Sequence, residues 1–315
     1  MNALAIDLGG SHATCAIVRD HTILASEELA ADSADNLSAL LIRALDTFTR
    51  LASQVGISLK GCDGIAIGFP GLVSTHTTRV LSTNAKYEDA PSVDLAAWGR
   101  QALGLPLRIE NDARLALLGE VYAGAARGFT EVVMMTLGTG IGGVAMIGGK
   151  LLRGKHSQAG CLGGHIPVLF SGGRRCTCGG IGCAEAEASG WALPLVFQEW
   201  PGSSSSSLAK YSKIGFRELF EEAAAGDPVA VGIRDRCFKV WCADAVAMVH
   251  AYDPEIIVMG GGVLKSAGAI VPVIQSHVQK YAWTPWGTVE VRAAVLGNDA
   301  ALLGAIPLLS DTLAG

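Results

Sequence analysis

The stretch from His165 to Glu185 carries the densest set of metal-binding residue types in the chain. It holds one histidine and three cysteines, at His165, Cys176, Cys178 and Cys183, with glycines between them. Thiolates and imidazole suit zinc, and structural zinc sites close with four such ligands. Glycine lets so short a loop wrap around one ion without steric penalty. The spacing therefore predicts a structural Zn²⁺ site in loop 165–183, with Glu185 fixed beside it.

Three glycine-rich turns each follow a short apolar run. They are Asp7-Leu-Gly-Gly-Ser-His12, Thr136-Leu-Gly-Thr-Gly-Ile-Gly-Gly143 and Gly260-Gly-Gly262. Backbone N–H groups in such turns can approach phosphate oxygens, and serine or threonine hydroxyls add donors. An ordinary hairpin turn explains any one of them, but three together predict a nucleotide site, with Mg²⁺ held by Asp7 through water. The candidate nucleotide-binding residues are Asp7, Gly9, Gly10, Ser11, His12, Thr136, Gly138, Thr139, Gly140, Gly261 and Gly262.

A Glu-Asn-Asp segment at residues 110–112 ends an apolar run and begins a helical pattern. At this place Asp112 is expected either to cap the helix N-terminus or to take a proton from a substrate hydroxyl. Kinases need such a carboxylate because the acceptor alcohol becomes nucleophilic as the phosphoryl group is transferred. Asn111 can donate to and accept from the hydroxyls of a polyol.

Composition narrows the class of protein. The chain has 315 residues, 50% of them hydrophobic, a net charge of -5 and a pI of about 5.8. This length fits two domains, and without a basic cluster we expect neither nucleic acid nor a membrane surface as a partner. The sequence shows no signal-peptide pattern and no apolar run of the ~18 residues that a membrane span requires. Eight cysteines, three of them in one loop, favour metal binding in a reduced, cytoplasmic protein.

Strand and helix patterns alternate along the chain, which predicts an α/β fold. A meander over residues 3–27 and a hairpin over residues 132–147 both contain a strand, a glycine turn and a strand, as a duplicated nucleotide-binding core would. We place one domain at 1–118, joined by the C-terminal helix 299–315, and the other at 119–298. Helices are predicted at 35–55 with Asp35 as N-cap, 93–103, 112–125, 184–200, 216–225, 228–252 and 299–308.

These motifs, in this order, resemble the ROK family of bacterial sugar kinases and related repressors. The resemblance spans essentially the whole chain, and it implies a two-domain actin-like ATPase (ribonuclease H-like) fold with an interdomain cleft. ATP would lie on the glycine loops and the sugar at the Asn-Asp segment. The matching segments are Asp7-Leu-Gly-Gly-Ser-His, Glu110-Asn-Asp-Ala, Thr136-Leu-Gly-Thr-Gly-Ile-Gly-Gly, Gly164-His165, Cys176-x-Cys-Gly-x-x-Gly-Cys-x-Glu185, Ser189-Gly190 and Gly260-Gly-Gly.

The same resemblance implies roles for single residues. Asp112 would be the catalytic base for the 6-hydroxyl of a hexose, with ATP, Mg²⁺ and a structural Zn²⁺ as cofactors. The family habit is a homodimer. The implied sugar-binding residues are Gly71, Thr83, Asn84, Asn111, Asp112, His165 and Glu185, and the implied zinc ligands are His165, Cys176, Cys178 and Cys183.

Two departures from the family pattern bear on the substrate. Leu162 stands where the family usually has a glutamate that holds a sugar hydroxyl, and His12 stands where many members have lysine. The run 68–74 and the Ser11-His12 pair look more like allose kinases than glucokinases. A hexose kinase of the glucose or allose type is thus expected, with a catalytically weakened sugar-binding protein or an N-acetylhexosamine kinase as alternatives. Only six residues precede Asp7, so we do not expect the helix-turn-helix of the repressor branch.

Overall fold

Two sheet-centred units make up the chain in the computed structural model, which describes residues 1–9, 12–30, 36–83 and 86–310. The first unit comprises 1–128, 149–159 and 295–315, and the second comprises 129–148 and 160–294. The functional domain limits given above, 1–118 with 299–315 and 119–298, stay a prediction.

Twelve strands are present in the described part of the chain. They are β1 (Asn2–Leu8), β2 (His12–Arg19), β3 (Thr22–Ala30), β4 (Gly64–Phe69), β5 (Gly71–Ser74), β6 (Arg79–Thr83), β7 (Leu107–Asn111), β8 (Val132–Leu137), β9 (Ile141–Ile147), β10 (Lys150–Leu151), β11 (Ile256–Gly260) and β12 (Glu290–Ala293).

The α-helices in the same residues vary widely in length. They are α1 (Leu37–Val55), α2 (Leu95–Trp98), α3 (Asp112–Ala123), α4 (Ala184–Ala188), α5 (Leu193–Glu199), α6 (Phe216–Ala224), α7 (Pro228–Tyr252), α8 (Ala267–Tyr281), α9 (Ala300–Leu303) and α10 (Ala305–Ser310). No described helix has both the length and the apolar character needed to cross a membrane.

The sheet of the first unit has the order β3-β2-β1-β4-β7. Strands β1, β4 and β7 are parallel, whereas β2 is antiparallel to β1 and β3 is antiparallel to β2. Every residue of β4 is buried, as expected for the centre of a parallel sheet covered on both faces. The apolar face of α1, including Leu40, Leu41 and Phe48, is buried in the same core, and α10 packs against β1 and β4.

The second unit repeats this arrangement. Within it the strands have the order β9-β8-β11-β12, with β8, β11 and β12 parallel and β9 antiparallel to β8. Each unit therefore begins with an antiparallel hairpin whose first strand continues into a parallel sheet. The internal repeat predicted from the two hairpins is confirmed by these matching strand orders.

Several elements differ from the sequence predictions. The single helix expected over 184–200 is broken into α4 and α5, because Gly190 donates its backbone N–H to Gly138 O at 2.9 Å. A Cβ on Gly190 would lie only 2.7 Å from that oxygen, so the close approach requires glycine. The helix expected over 93–103 is α2 followed by one π-helical turn. Helix α8 and strands β5, β6 and β12 were not predicted, and Asp35, the expected cap of α1, lies outside the described residues.

Candidate active site and metal centre

Two aspartates meet at one edge of the first sheet. Parallel strands β1, β4 and β7 end side by side, and their pairing aligns Asp7 with Gly68 and Gly68 with Glu110. A Cβ on Gly68 would lie 3.1 Å from Asp7 Oδ1 and 3.6 Å from Asp112 Cα. Gly68 thus leaves room for the Asp7 carboxylate and the start of α3 to approach each other.

Both carboxyl groups hold their protons more tightly than usual. Burial raises the pKa of Asp112 to about 6. Burial, and then the charge of Asp112, raises the pKa of Asp7 to about 7. No positively charged side chain among the described residues forms an ion pair with Asp7. A bound divalent cation would relieve this accumulation of negative charge, which fits the predicted Mg²⁺ role of Asp7.

Asn111, rather than Asp112, is the N-cap of α3. The side-chain oxygen of Asn111 accepts a hydrogen bond from Arg114 N at 3.2 Å, and Asp112 is the first helical residue. The interpretation of Asp112 as the N-cap is therefore wrong. The carboxylate of Asp112 instead accepts from Ala113 N at 2.8 Å and from Asn111 Nδ2 at 2.9 Å, which fixes one of its oxygens in place.

The predicted sugar-side residues of the first unit lie together. Gly71 on β5 pairs with Thr83 on β6, and Gly71 O accepts a hydrogen bond from Asn111 Nδ2 at 3.3 Å. A Cβ on Gly71 would lie 2.4 Å from Ser82 O, so this tight pairing requires glycine. Asn84, also predicted here, lies outside the described residues.

Glu110 fixes the end of β7. This carboxylate is fully buried and is paired with Arg153, whose Nη2 lies 2.6 Å from Glu110 Oε2. Its other oxygen accepts from Asn111 N at 2.9 Å. The sequence motif included Glu110 without giving it a role. Its ion pair with the partly exposed Arg153, and its hydrogen bond from Asn111 N, position the Asn-Asp segment.

The first glycine turn is only partly described. Gly9 N donates to His12 O at 2.9 Å, which closes the turn between β1 and β2. His12 Nδ1 lies 3.0 Å from Glu28 Oε1, with both side chains more than half exposed. Gly10 and Ser11 lie outside the described residues.

The second and third glycine turns border one large cavity in the second unit. Its volume is about 1300 Å³, and Gly138, Thr139 and Gly262 form part of its wall. Strand β8 pairs with β11 through Thr136 and Gly260, so both turns leave the same edge of the sheet. A cavity of this size at the carboxyl ends of parallel strands accommodates a nucleotide.

Glycine is needed where these two turns approach each other. Gly261 has a φ of 90°, and a Cβ there would lie 2.3 Å from Leu137 O. Gly138 N donates to Gly140 O at 3.0 Å, so the second turn is tight. Thr136 packs at the base of the turns, where its Oγ1 would lie 2.4 Å from a Cβ on Gly142. The second and third glycine turns are therefore tight and lie close together, and Thr136, Gly140 and Gly261 pack within them.

Most of the cavity wall was not predicted from the sequence. Lys265 and Ser266 follow the third turn and were within reach of sequence reasoning, since a basic residue after a glycine turn suggests a phosphate partner. The remaining residues come from the chain before and within α6 and from the start of α5, which have no phosphate-loop pattern. The additional wall residues are Gly190, Trp191, Pro194, Tyr211, Ser212, Lys213, Ile214, Gly215, Phe216, Arg217, Glu218, Phe220, Glu221, Ala224, Val263, Lys265 and Ser266.

The four predicted metal ligands form one cluster. All four ligand atoms lie within 4.8 Å of one another. Cys178 Sγ is 3.7 Å from Cys183 Sγ, and Cys176 Sγ is 3.4 Å from His165 Nδ1. A tetrahedral zinc ion would separate two sulfurs by about 3.8 Å and a sulfur from a nitrogen by about 3.5 Å. The donor set and its spacing therefore fit zinc.

Glu185 is held beside this cluster by two hydrogen bonds. Its Oε2 accepts from Ile141 N at 3.0 Å and its Oε1 accepts from Trp191 Nε1 at 3.3 Å. A Cβ on Gly140 would lie 2.5 Å from Glu185 Oε2, so Gly140 makes room for the carboxylate. Nδ1 of His165 faces the cysteines, which leaves Nε2 for another partner.

Leu162 precedes the turn that carries His165. Its carbonyl oxygen accepts from His165 N at 3.0 Å, and 43% of the residue is exposed. A single exposed leucine is ordinary on a protein surface, so the family pattern, rather than its exposure, makes Leu162 a candidate contact.

Comparisons with known proteins agree with the motifs. The sequence profile of the ROK family matches residues 3–312. The chain is 30% identical over 310 residues to a glucokinase of Halalkalibacterium halodurans, covering 96% of this chain and 92% of the relative. It is 31% identical over 309 residues to the N-acetylgalactosamine kinase AgaK of a Shewanella species, covering 95% and 94%. A ROK family glucokinase from Streptomyces griseus, solved in complex with glucose and AMPPNP, matches with a TM-score of 0.76 and 29% identity over 98% of this chain and 99% of that one.

Proposed function

This chain belongs to the ROK family and is an ATP-dependent sugar phosphotransferase, and we propose that it phosphorylates the 6-hydroxyl of a hexose of the glucose or allose type. The observation that carries the nucleotide half of this proposal is the cavity of about 1300 Å³ bordered by two strand-terminal glycine turns. The glucokinase relatives support the hexose half.

Asp112 is the proposed catalytic base. Its pKa of about 6 leaves it ionised at neutral pH and still close enough to that pH to accept a proton effectively. The hydrogen bonds from Ala113 N and Asn111 Nδ2 hold one of its oxygens, Oδ1, which leaves the other for the sugar hydroxyl. As phosphoryl transfer proceeds, the 6-hydroxyl loses its proton to this oxygen.

The sugar contacts are proposed around the two polar clusters described above. In the first unit, Asn111, Gly71 and Thr83 offer a side-chain amide and backbone groups beside Asp112. In the second unit, Glu185 and the free nitrogen of His165 offer an acceptor and a ring nitrogen. Hydroxyl groups of a hexose pair with such donors and acceptors.

Two metal ions are proposed with different roles. Mg²⁺ beside Asp7 would neutralise charge on the transferred phosphate and would favour the ionised form of this buried carboxyl group, whose pKa is raised by burial and by the charge of Asp112. Zn²⁺ held by His165, Cys176, Cys178 and Cys183 would keep their loop folded. A homodimer, implied by the family resemblance, and a cytoplasmic location, expected from the cysteine pattern, also stay predictions.

A panel assay tests the proposed function. Purified protein with Mg-ATP is offered glucose, allose, mannose, fructose and N-acetylhexosamines, and ADP release is coupled to NADH oxidation. We expect turnover with at least one unmodified hexose and none with its 6-deoxy analogue. Turnover with the 6-deoxy sugar would move the phosphorylated position elsewhere, and no turnover with any sugar would reject the kinase in favour of a sugar-binding protein.

An N-acetylhexosamine kinase is the second candidate, and Leu162 favours it. An exposed leucine offers van der Waals contact to an acetamido methyl group, whereas a glutamate at this place would favour a hydroxyl. One relative of similar identity is an N-acetylgalactosamine kinase. A kcat/KM for an N-acetylhexosamine at least tenfold above that for every unmodified hexose would select this candidate.

A further inference from the structure

Trp191 contacts three features of the second unit to which the proposed function gives separate roles. The residue is part of the wall of the proposed nucleotide cavity. Its backbone N donates to Thr139 O in the second glycine turn at 3.0 Å. Its indole Nε1 donates to Glu185 Oε1 at 3.3 Å. No motif predicted this residue.

The Trp191 side chain is only partly buried. It is packed against the small cluster of Cys176, Cys183 and Ala186, at the metal centre. Trp191 also lines a second cavity of about 440 Å³, together with Arg174 and Arg236. Because Trp191 lines two cavities and is only partly buried, its position depends on its hydrogen bonds and on what fills those cavities.

The orientation of the Glu185 carboxylate also depends on the hydrogen bond from Trp191 Nε1. A carboxylate has about four lone-pair sites. In Glu185 one oxygen is fixed by Ile141 N and the other by Trp191 Nε1, which leaves the remaining sites for sugar hydroxyls. Without the indole donor, only Oε2 stays fixed, and the carboxylate can rotate about that one bond. A ligand that needs both oxygens would then bind a disordered partner and lose affinity.

We propose that Trp191 is a positioning residue that presents the Glu185 carboxylate to the sugar and makes sugar binding respond to an occupied nucleotide cavity. A nucleotide packed against the ring restricts the indole and, through Nε1, the carboxylate. By thermodynamic linkage the sugar then strengthens nucleotide binding by the same factor. This inference rests on the proposed function, because it takes Glu185 as a sugar ligand.

Trp191→Phe tests the role, since it keeps an aromatic ring and removes the N–H donor. Trp283→Phe is the matched control, because that tryptophan is 80% exposed and lies outside every described site. Dissociation constants for the best hexose and for AMPPNP are measured by calorimetry, each alone and each in the presence of the other, together with kcat and KM. Zinc content and melting temperature show whether each variant is folded.

For Trp191→Phe we expect a sugar dissociation constant roughly fivefold to tenfold higher, comparable to the loss of one ordinary hydrogen bond, because the sugar keeps its own contacts with Glu185 and only the orientation of the carboxylate is lost. The AMPPNP constant measured alone stays within about twofold, and kcat changes less than KM. The factor by which AMPPNP tightens sugar binding in the wild type falls towards one. The change in tryptophan emission on adding AMPPNP disappears in Trp191→Phe and persists in Trp283→Phe.

Trp191→His provides a second variant that retains a ring N–H. It should recover part of the sugar affinity lost in Trp191→Phe, which a role in packing alone would not produce. If Trp191→Phe loses its zinc, the wild type is compared with Trp191→His instead. A weaker sugar affinity in Trp191→His, with the same tightening of sugar binding by AMPPNP as in the wild type, would then overturn the proposal.

Other outcomes separate this inference from the proposed function. If the wild type binds and phosphorylates a hexose while Trp191→Phe matches it in sugar affinity and coupling, the inference alone is overturned. If the wild type binds no hexose, the proposed function fails, and the role of Trp191 fails with it.

Discussion

At the scale of single residues, the proposed chemistry depends most on Asp112. Its carboxylate combines a raised pKa with a fixed orientation at the first turn of α3. Replacing it with asparagine preserves shape and the hydrogen bond to Ala113 N. The effect of this replacement on turnover can therefore be measured separately from its effect on sugar binding.

Asp112→Asn should lower kcat by at least about 10²-fold, because an amide cannot accept the proton of the sugar hydroxyl. The hexose dissociation constant, measured by calorimetry, should stay within about tenfold. Asp46→Asn, at a surface position of α1, is the matched control and should leave both unchanged. A variant at position 112 with near-normal turnover would exclude this residue as the base.

The pH dependence of kcat/KM should show an acid limb near pH 6. Asp112 accepts a proton only when ionised, so activity is present above its pKa of about 6 and is lost as the pH falls through that value. Below the limb the rate falls about tenfold per pH unit. Because the pKa of Asp7 is raised partly by the charge of Asp112, the two groups titrate as a pair. A profile that is flat down to about pH 5 would contradict this assignment.

Leu162→Glu should improve glucose phosphorylation if the resemblance to the family places this residue against the sugar. A sugar hydroxyl facing leucine lacks a partner, and a charge-assisted hydrogen bond is worth about 1.5–3 kcal/mol. We expect kcat/KM for glucose to rise about tenfold to hundredfold in steady-state assays. Ile42→Glu, an exposed apolar residue on α1, controls for the added charge. An unmodified enzyme with a low KM for glucose that gains nothing from the change would show that another group already makes the contact.

At the scale of elements, the loop 165–183 links the proposed metal centre to Glu185, a proposed sugar ligand. Its cysteines are close in sequence, and the cluster they form immediately precedes α4, which carries Glu185. Loss of one ligand should therefore affect both the fold of the loop and the position of that carboxylate.

Cys178→Ser should lower the zinc content, expected at about one ion per chain, together with the melting temperature. Elemental analysis of protein prepared without chelators measures the first and calorimetry the second. Cys62→Ser is the control, because Cys62 is buried in the first unit away from the cluster and should keep full metal content. Zinc-free wild-type protein from such a preparation would rule out the metal centre.

At the scale of the whole molecule, a buried carboxyl group on α7 makes global stability depend on pH. Asp244 is fully buried, and neither of its oxygens has a hydrogen-bond partner in the described residues. Burial raises the pKa of Asp244 well above its ordinary value of 3.8. The folded state therefore keeps a proton that the unfolded chain releases.

Asp244→Asn should remove this dependence. In the wild type the contribution of Asp244 is fully present below pH 3.8 and is lost as the pH rises through its folded pKa, at about 1.4 kcal/mol per pH unit. The variant should thus gain stability relative to the wild type as the pH rises above 3.8, in urea unfolding experiments. Asp235→Asn, on the same helix but about half exposed, should show no such gain. Parallel stability curves for wild type and Asp244→Asn would contradict the prediction.

Features formed by residues that are close together in the chain could be predicted from the sequence alone. The four metal ligands fall within one short loop, so their spacing sufficed to group them. The hairpins of β1-β2 and β8-β9 each show an apolar run, a glycine turn and another run, so their repetition was visible before any contact was known. Helix α7 follows a long continuous helical pattern, and the structure has it at the predicted bounds.

Contacts between distant residues were decided only by the tertiary structure. Gly68 lies between Asp7 and Asp112 because β4 pairs with β1 and β7, and strand pairing depends on residues far apart in the chain. The helix expected over 184–200 is interrupted because Gly190 N donates a hydrogen bond to Gly138 O. Helix propensity describes local preference and does not predict such a long-range contact. The same packing places Trp191 beside Glu185 and in the wall of the cavity of about 1300 Å³, because burial and hydrogen bonding across the fold, rather than local pattern, determine which side chains meet.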